Sequence, residues 1–358
     1  MALALALGRR GQGTTWPNPS VGCVIVRDGR IVGRGWTRPG GRPHAESVAL
    51  DQAGAAARGA TAYVSLEPCA HHGKTPPCAE ALVTAGIARV VTAMTDPDPR
   101  VSGAGHRILE AAGVAVTTAV REDEARRDHA GFVLSRTQGR PFLTLKLALT
   151  LDGRIATASG ESRWITGPGA RRRVHAMRAC HDAVLIGGGT ARADDPALTV
   201  RGLGPLPQPV RIVASAGLDL PTDSRLLRGL GEAPLWVVVD DDRVSASTGS
   251  VWTDQGVRLL PVAAGPDGRL APRAMMAALA EAGLTRVLCE GGGALAASLL
   301  GADLVDELVV FSAGLAIGAE GRPGLGDLGL GRLADARRFR LRSTEAVDGD
   351  VLHRWSRD

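Results

Sequence analysis

Leu66-Glu67-Pro68-Cys69-Ala70-His71-His72-Gly73-Lys74-Thr75-Pro76-Pro77-Cys78 is the stretch on which the reading of this chain turns. It closes an apolar run, Thr61 to Leu66, that reads as a strand, and Cys78 opens a stretch to Ala85 that reads as a helix. Upstream, His44-Ala45-Glu46 stands at the start of another helical stretch, Ala45 to Ala57, and Pro68-Cys69 begins 24 residues after His44. One imidazole and two thiols make the ligand number of a catalytic zinc site, which keeps a fourth position for water and acidifies it. Glu46, two residues beyond the histidine, suits proton transfer rather than ligation. An isolated His-x-Glu carries little information, and so do two cysteines nine positions apart. In this order, after a strand, they specify a metal site built from His44, Cys69 and Cys78. The ligand types favour zinc and leave iron and cobalt open.

Outward from this loop the first third alternates short strands and helices. Strands are expected at Gly22 to Val26, Arg30 to Gly35, Arg89 to Met94 and Ala115 to Thr118, with a helix near Ala104 to Ala112. Asp96-Pro97-Asp98-Pro99 reads as a turn, and residues 121–138 as a helical connector of mixed charge. Gly139-Arg140-Pro141 breaks that connector, so the expected domains are 1–140 and 141–358. The second part alternates again: strands Phe142 to Leu149, Ala183 to Ile186, Val210 to Val213, Leu235 to Val239, Arg286 to Cys289 and Glu307 to Phe311, and helices Gly169 to Ala179, Pro272 to Ala282 and Ala294 to Leu300. Residues 202–209 and 240–256 read as surface loops. The fold class is α/β in both parts.

With 358 residues, 44% hydrophobic and 22% charged, the chain has the composition of an ordinary globular protein of about two domains. No apolar run approaches the roughly 18 to 20 residues of a membrane span, and the arginines after Met1 to Leu7 reverse the order of a secretory signal. That segment reads as a short helix. Five cysteines without an export signal point to reduced thiols and a cytoplasmic setting. The net charge of +5 permits an anionic ligand and argues nothing for nucleic acid. Only Lys74 and Lys146 among the 42 Lys and Arg residues are lysines. In a chain that uses arginine nearly everywhere else, a lysine marks a place that needs a compact, titratable ammonium. Lys146 interrupts the apolar run Leu145-Lys146-Leu147-Ala148-Leu149, where it reads as a buried functional group.

His-x-Glu followed by Pro-Cys and a second cysteine is the signature of zinc deaminases, except that the loop between the cysteines is longer here. That longer loop, together with Pro17-Asn18-Pro19-Ser20-Val21-Gly22-Cys23-Val24-Ile25-Val26, closely resembles the bifunctional riboflavin-biosynthesis deaminase/reductase family. The resemblance implies a cytidine-deaminase-like α/β/α domain followed by a dihydrofolate-reductase-like α/β domain. It implies zinc on His44, Cys69 and Cys78, and Glu46 as general acid/base. Asn18 would hold the pyrimidine, with His71, His72 and Lys74 on the polar and phosphate side of the substrate.

In the second part, Cys289-Glu290-Gly291-Gly292-Gly293-Ala294-Leu295-Ala296 runs from strand to helix, where exposed N–H groups can hold a pyrophosphate. Gly291 to Ala296 satisfies G-x-G-x-x-A, but it lies late in the α/β pattern, which argues against a Rossmann domain. The family resemblance implies NADPH instead, against Ala148, Trp164, Thr190, Asp194, Ser215 and the run Gly292, Gly293, Ala294, Leu295, Ala296, Ala297 and Ser298. Ser162, Arg178, Leu198, Arg201 and Glu290 would face the substrate, the two arginines suiting a phosphate. Lys146 would position or polarise a ring-opened imine and Glu290 would assist proton delivery. Where the family usually has Ala-Pro-x-x-Leu-Gly, this chain has Ser312-Ala313-Gly314-Leu315-Ala316-Ile317-Gly318.

The implied activity is deamination of 2,5-diamino-6-(5-phosphoribosylamino)pyrimidin-4(3H)-one, followed by NADPH reduction of the ribosyl side chain. The partners are a small phosphorylated pyrimidine and further copies of the chain, with no membrane. Two rival readings remain at this stage. A nucleobase or tRNA deaminase with an unrelated second domain would bind no NADPH. A zinc-stabilised nucleic-acid binder would have few stacking platforms, with one Tyr and four Phe, and no use for Glu46.

Overall fold

The computed structural model describes residues 1–71, 76–98, 101–265 and 267–357. The chain divides into two compact units, Met1–Arg140 and Pro141–Asp358.

The first unit contains α1 (Ala2–Arg9), β1 (Gly22–Arg27), β2 (Arg30–Trp36), α2 (Ala45–Ala53), β3 (Thr61–Val64), α3 (Cys78–Thr84), β4 (Arg89–Thr92), α4 (Ala104–Ala111), β5 (Ala115–Thr117), α5 (Glu122–Asp128) and α6 (Ala130–Thr137). The sheet order is β2-β1-β3-β4-β5, with β1 antiparallel to both neighbours and β3, β4 and β5 parallel. Alternation along β1 makes the layers. Cys23 and Ile25 enter a core with Ala45, Ala49, Ala79 and Leu82 of α2 and α3, whereas Val24 packs with Ala4 and Leu7 of α1 on the other face. Two glycines of β2 let α2 lie directly on the sheet. A Cβ on Gly33 would stand 2.2 Å from the Ala49 carbonyl oxygen, and one on Gly35 would stand 2.1 Å from that of Ala45. The helix expected to reach Ala57 ends at Ala53. Gly54, at φ 51°, turns the chain there, and Gly54–Ala57 forms a 3-10 turn.

The second unit contains β6 (Phe142–Thr150), β7 (Arg154–Ala156), α7 (Pro168–Ala179), β8 (Ala183–Gly187), α8 (Gly188–Asp194), β9 (Val210–Ala214), α9 (Arg225–Arg228), β10 (Leu235–Asp240), α10 (Ala246–Thr253), β11 (Arg258–Val262), α11 (Pro272–Glu281), β12 (Arg286–Gly291), α12 (Gly293–Gly301), β13 (Glu307–Ala313), β14 (Arg322–Pro323), β15 (Arg340–Val347) and β16 (Asp350–Ser356). Its nine-stranded sheet has the order β11-β10-β9-β8-β12-β6-β13-β16-β15. The strands from β11 through β13 are parallel, and β16 and β15 close the edge as an antiparallel hairpin. Parallel strands bring the turns after β8 and β12 and the end of β6 to one edge, the edge where open α/β sheets bind ligands. The segment expected as a loop at 240–256 carries a helix, α10, whose N-terminus is capped by Ser245 Oγ accepting the Thr248 N–H at 3.2 Å. Residues 202–209 have no helix or strand. Among the described residues no helix is long and apolar enough to cross a membrane.

Candidate active sites

In the first unit β3 ends at Val64, short of the expected Leu66, and Cys69 follows it by five residues; α3 begins at Cys78, and His44 and Glu46 flank the start of α2. The donor atoms of His44, Cys69 and Cys78 lie within 4.8 Å of one another. His44 Nδ1 is 3.3 Å from Cys78 Sγ and 3.7 Å from Cys69 Sγ. A tetrahedral zinc, with bonds of about 2.3 Å to sulfur and 2.0–2.1 Å to nitrogen, separates such ligands by about 3.6 Å. His44 therefore stands from both sulfurs at about the spacing zinc requires. The Cys78 thiol, then His44 and the Cys78 N–H, which donates to Cys69 Sγ at 3.3 Å, hold the Cys69 pKa down to about 4 against burial. The same thiol pairing, together with burial, pushes Cys78 up. Glu46 is 3% exposed; burial, with Cys69 nearby, raises its carboxyl to about 7, while His44 and Cys78 oppose the shift. Asn18 is held by a 3.4 Å bond from Nδ2 to the Gly41 carbonyl.

Behind the ligands lies a carboxylate to which the sequence reading assigned no role. Glu67, 3% exposed, accepts the main-chain N–H groups of Asp96 at 3.1 Å, Gly103 at 3.0 Å, Gly105 at 2.9 Å and His106 at 3.4 Å. It thereby ties the segment that carries Cys69 to the start of α4. Gly105 permits this closeness, since a Cβ there would lie 2.0 Å from the Pro68 carbonyl oxygen. His71 is exposed, and His72 and Lys74 lie outside the described residues.

In the second unit Arg178 of α7 and Glu290 of β12 form a two-pronged ion pair, Nε to Oε1 at 2.5 Å and Nη2 to Oε2 at 2.9 Å, with side chains only 11% and 9% exposed. Arg178 Nη1 donates to the Thr199 carbonyl at 2.9 Å. Burial opposes ionisation of Glu290, but Arg178, with Lys146 and His175, prevails and keeps its pKa below the usual carboxylate value. Burial lowers the Lys146 pKa, Glu290 counteracts and Arg178 reinforces the shift. Arg178, expected as a phosphate ligand, has one donor on each of its nitrogens engaged within the protein. Arg201 is exposed, Leu198 is buried with φ 56°, and Ser162 is half-buried.

Thr190, Ser215 and Gly292 of the expected cofactor residues lie at the same sheet edge. Thr190 Oγ1 lies 3.0 Å from where a Gly292 Cβ would stand, so the glycine turns after β8 and β12 abut, and Gly292 has φ 85°. Ser215 Oγ donates to Asp219 at 2.6 Å, and Arg192 binds the same carboxylate at 2.6 Å. The Asp194 carbonyl receives Arg163 Nη2 at 2.7 Å, and Trp164, 69% exposed, lies under Arg171 at 4.5 Å. Ala148 lies on β6, half-buried. The run Gly292 to Ser298 is narrower as a surface than expected: Ala296 and Ala297 are interior residues of α12, leaving Gly292, Gly293, Ala294 and Leu295 as its open first turn, with Ser298 half-buried. The variant segment Ser312 to Gly318 is anchored by Asp152, whose carboxylate accepts the N–H groups of Ile317 at 3.2 Å and Gly318 at 2.7 Å. Thr150 and those N–H groups hold the Asp152 pKa down to about 2.

The cytidine and deoxycytidylate deaminase zinc-binding region matches residues 1–94, and the RibD C-terminal domain matches residues 141–353. The riboflavin biosynthesis protein RibD of Escherichia coli K12 is 44% identical, over 99% of this chain and 97% of its own length. The chain belongs to the RibD family. The RibD protein of Haemophilus influenzae is 43% identical over 98% of this chain and 95% of its own. A solved RibD structure from Acinetobacter baumannii superposes with a TM-score of 0.88 at 38% identity, covering 99% of this chain and 97% of that one. A Thermotoga maritima diaminohydroxyphosphoribosylaminopyrimidine deaminase/5-amino-6-(5-phosphoribosylamino)uracil reductase superposes at 0.86 with 33% identity and the same coverage. RibD membership over nearly the whole length removes the reading of an unrelated second domain. The units are a zinc-binding deaminase and a reductase of riboflavin biosynthesis, and the zinc and NADPH expected from the sequence belong to them.

Proposed function

We propose that the chain deaminates the diaminopyrimidinone ribotide and then reduces the ribosyl side chain of the resulting aminouracil, with Glu46 as proton carrier of the first step and Lys146 and Glu290 flanking the second. The observation that carries this reading is the pair of sites in one chain: a zinc-spaced His44, Cys69 and Cys78 set beside a buried carboxyl, and a buried Glu290–Arg178 pair beside a lysine.

Zinc, when bound, supplies a Lewis acid for hydrolysis. Glu46 takes a proton from the attacking water as its oxygen bonds to the amino-bearing ring carbon, and returns it as the C–N bond breaks and ammonia leaves. Asn18, and on the phosphate side His71, His72 and Lys74, orient the ring and ribotide. NADPH, when bound, supplies the hydride for C1 of the opened ribose; Ala148, Trp164, Thr190, Asp194, Ser215 and the first turn of α12 are the residues that would hold it. Lys146 polarises the reacting group and Glu290, kept ionised by Arg178, steers that ammonium. Ser162, Leu198 and Arg201 line the substrate side, with Arg201 on the phosphate. A homo-oligomer in the cytoplasm accords with this reading and with five free cysteines.

Purified protein given the diaminopyrimidinone ribotide should release ammonia and then consume NADPH, with about one zinc per chain by metal analysis. Ammonia without NADPH consumption would refute the second half of the proposal.

A further inference from the structure

His175 has no part in the function above, yet its surroundings define a task for it. It lies on α7 three residues before Arg178, so both side chains leave one face of the helix, while Val174 and Met177 are buried in the core. His175 Nδ1 is 3.1 Å from the Thr199 carbonyl oxygen and 3.2 Å from the Arg201 main-chain nitrogen. A neutral ring nitrogen either donates or accepts. If Nδ1 carried the proton, two N–H donors would face each other across 3.2 Å. With the proton on Nε2, Nδ1 accepts the Arg201 N–H and Arg178 Nη1 serves the Thr199 carbonyl. Among the described residues the Arg201 N–H has no other acceptor. Between them, Val200 is gripped by Gln208, which accepts its N–H at 2.7 Å and donates to its carbonyl at 3.2 Å. The chain that presents Arg201 is thus held at three consecutive residues.

We propose that His175 is a positioning residue of the reductase site, which fixes the main chain of Arg201 through an unprotonated Nδ1 and releases it on protonation. Its consequence for turnover rests on the reading that Arg201 meets the substrate phosphate. The groups facing the imidazole are Arg178 from its own helix, Arg201 and the Thr199 carbonyl from the segment opposite, and Glu290 from β12. Burial and the two arginines outweigh Glu290 and the Thr199 carbonyl and keep His175 below the usual histidine pKa, so the ring is neutral at neutral pH.

The test uses the full chain, NADPH and the phosphoribosylaminouracil. His175→Ala should raise the KM for that substrate about tenfold, the scale of one net hydrogen bond, with kcat within about twofold. His175→Gln, whose Oε1 can accept the same N–H, should keep KM within about twofold of the native value. As pH falls below about 6.5, the native KM should rise relative to that of His175→Gln, a ratio that cancels titration of the substrate phosphate. Equal KM penalties in the two variants, or superimposable pH profiles for native and Gln proteins, would overturn the proposal. Isotope-labelled histidine NMR, with the His175 signal assigned by its loss in His175→Gln, gives a reading independent of turnover. An unprotonated Nδ1 at neutral pH supports the assignment and a protonated one overturns it. Arg201→Ala with an unchanged KM would refute the phosphate reading and with it the catalytic consequence, while the NMR result would still decide the tautomer.

Discussion

Removing the guanidinium of Arg178 while keeping its stem, as in Arg178→Met, isolates what holds Glu290. The pair's side chains are 11% and 9% exposed and joined at 2.5 and 2.9 Å, so it falls outside the regime of surface ion pairs worth roughly 0–1 kcal/mol. Deleting one partner of a buried pair leaves an uncompensated charge and costs about 3–5 kcal/mol. The Thr199 carbonyl also loses a donor, but Lys146 remains as a cation beside Glu290. The expected loss is therefore near the lower end, about 3 kcal/mol. Arg178→Met/Glu290→Gln removes both charges and should lose less than the sum of the single variants, with a coupling above about 1 kcal/mol. Denaturant unfolding of the full chain, followed by fluorescence, reads both quantities, and ammonia release by the first unit serves as the internal control. A loss below about 1 kcal/mol, or additive single effects, would refute the claim that the pair is desolvated and mutually dependent.

Glu67→Ala leaves four main-chain N–H groups without their acceptor, so it should lower the melting temperature of the deaminase unit and its zinc content together, by calorimetry and metal analysis, and spare NADPH oxidation from the aminouracil substrate. Gly35→Ala should displace α2, because its Cβ would stand 2.1 Å from the Ala45 carbonyl; ammonia release should fall by at least about tenfold while reductase KM is unchanged. Burial lowers the His181 pKa to about 4. Its contribution is complete above about pH 6.5, where both folded and unfolded states are neutral, and is lost as pH falls toward 4 because only the unfolded chain takes up the proton. Stability should decline by up to about 1.4 kcal/mol per pH unit in that window, and His181→Gln should flatten the decline in pH-dependent unfolding.

The metal site was legible because its chemistry dictates both residue types and order: His44, Glu46, Cys69 and Cys78 have few alternatives once a strand and two helix starts are in place. The parallel strands β8 and β10 were legible as nearly continuous apolar runs, buried on both faces, whereas β9 carries the buried Arg211 and β12 carries Glu290 near its end. β15 was not, because Arg340-Leu341-Arg342-Ser343-Thr344-Glu345 has no buried face and owes its conformation to main-chain pairing with β16. The helix α10 hid in a Ser, Thr and Gly-rich stretch whose propensity points to a loop; Ser245 at its N-cap is the signal that marks its start. The Gly188-Gly189 start of α8 concealed a helix for the same reason. Neither Glu67 nor His175 could be assigned from spacing, since each acts through main-chain groups distant in sequence: Glu67 on residues 96–106 and His175 on Arg201. Asp152 binds Ile317 and Gly318 across an even longer separation.

The most direct test of two sequential sites in one chain is Glu46→Ala assayed from two starting points. Given the diaminopyrimidinone ribotide, the variant should release no ammonia and consume no NADPH; given the deaminated phosphoribosylaminouracil, it should consume NADPH at the native rate. Ammonia release at the native rate would contradict the role assigned to Glu46, and NADPH consumption from the diamino substrate without ammonia release would contradict the order of the two steps.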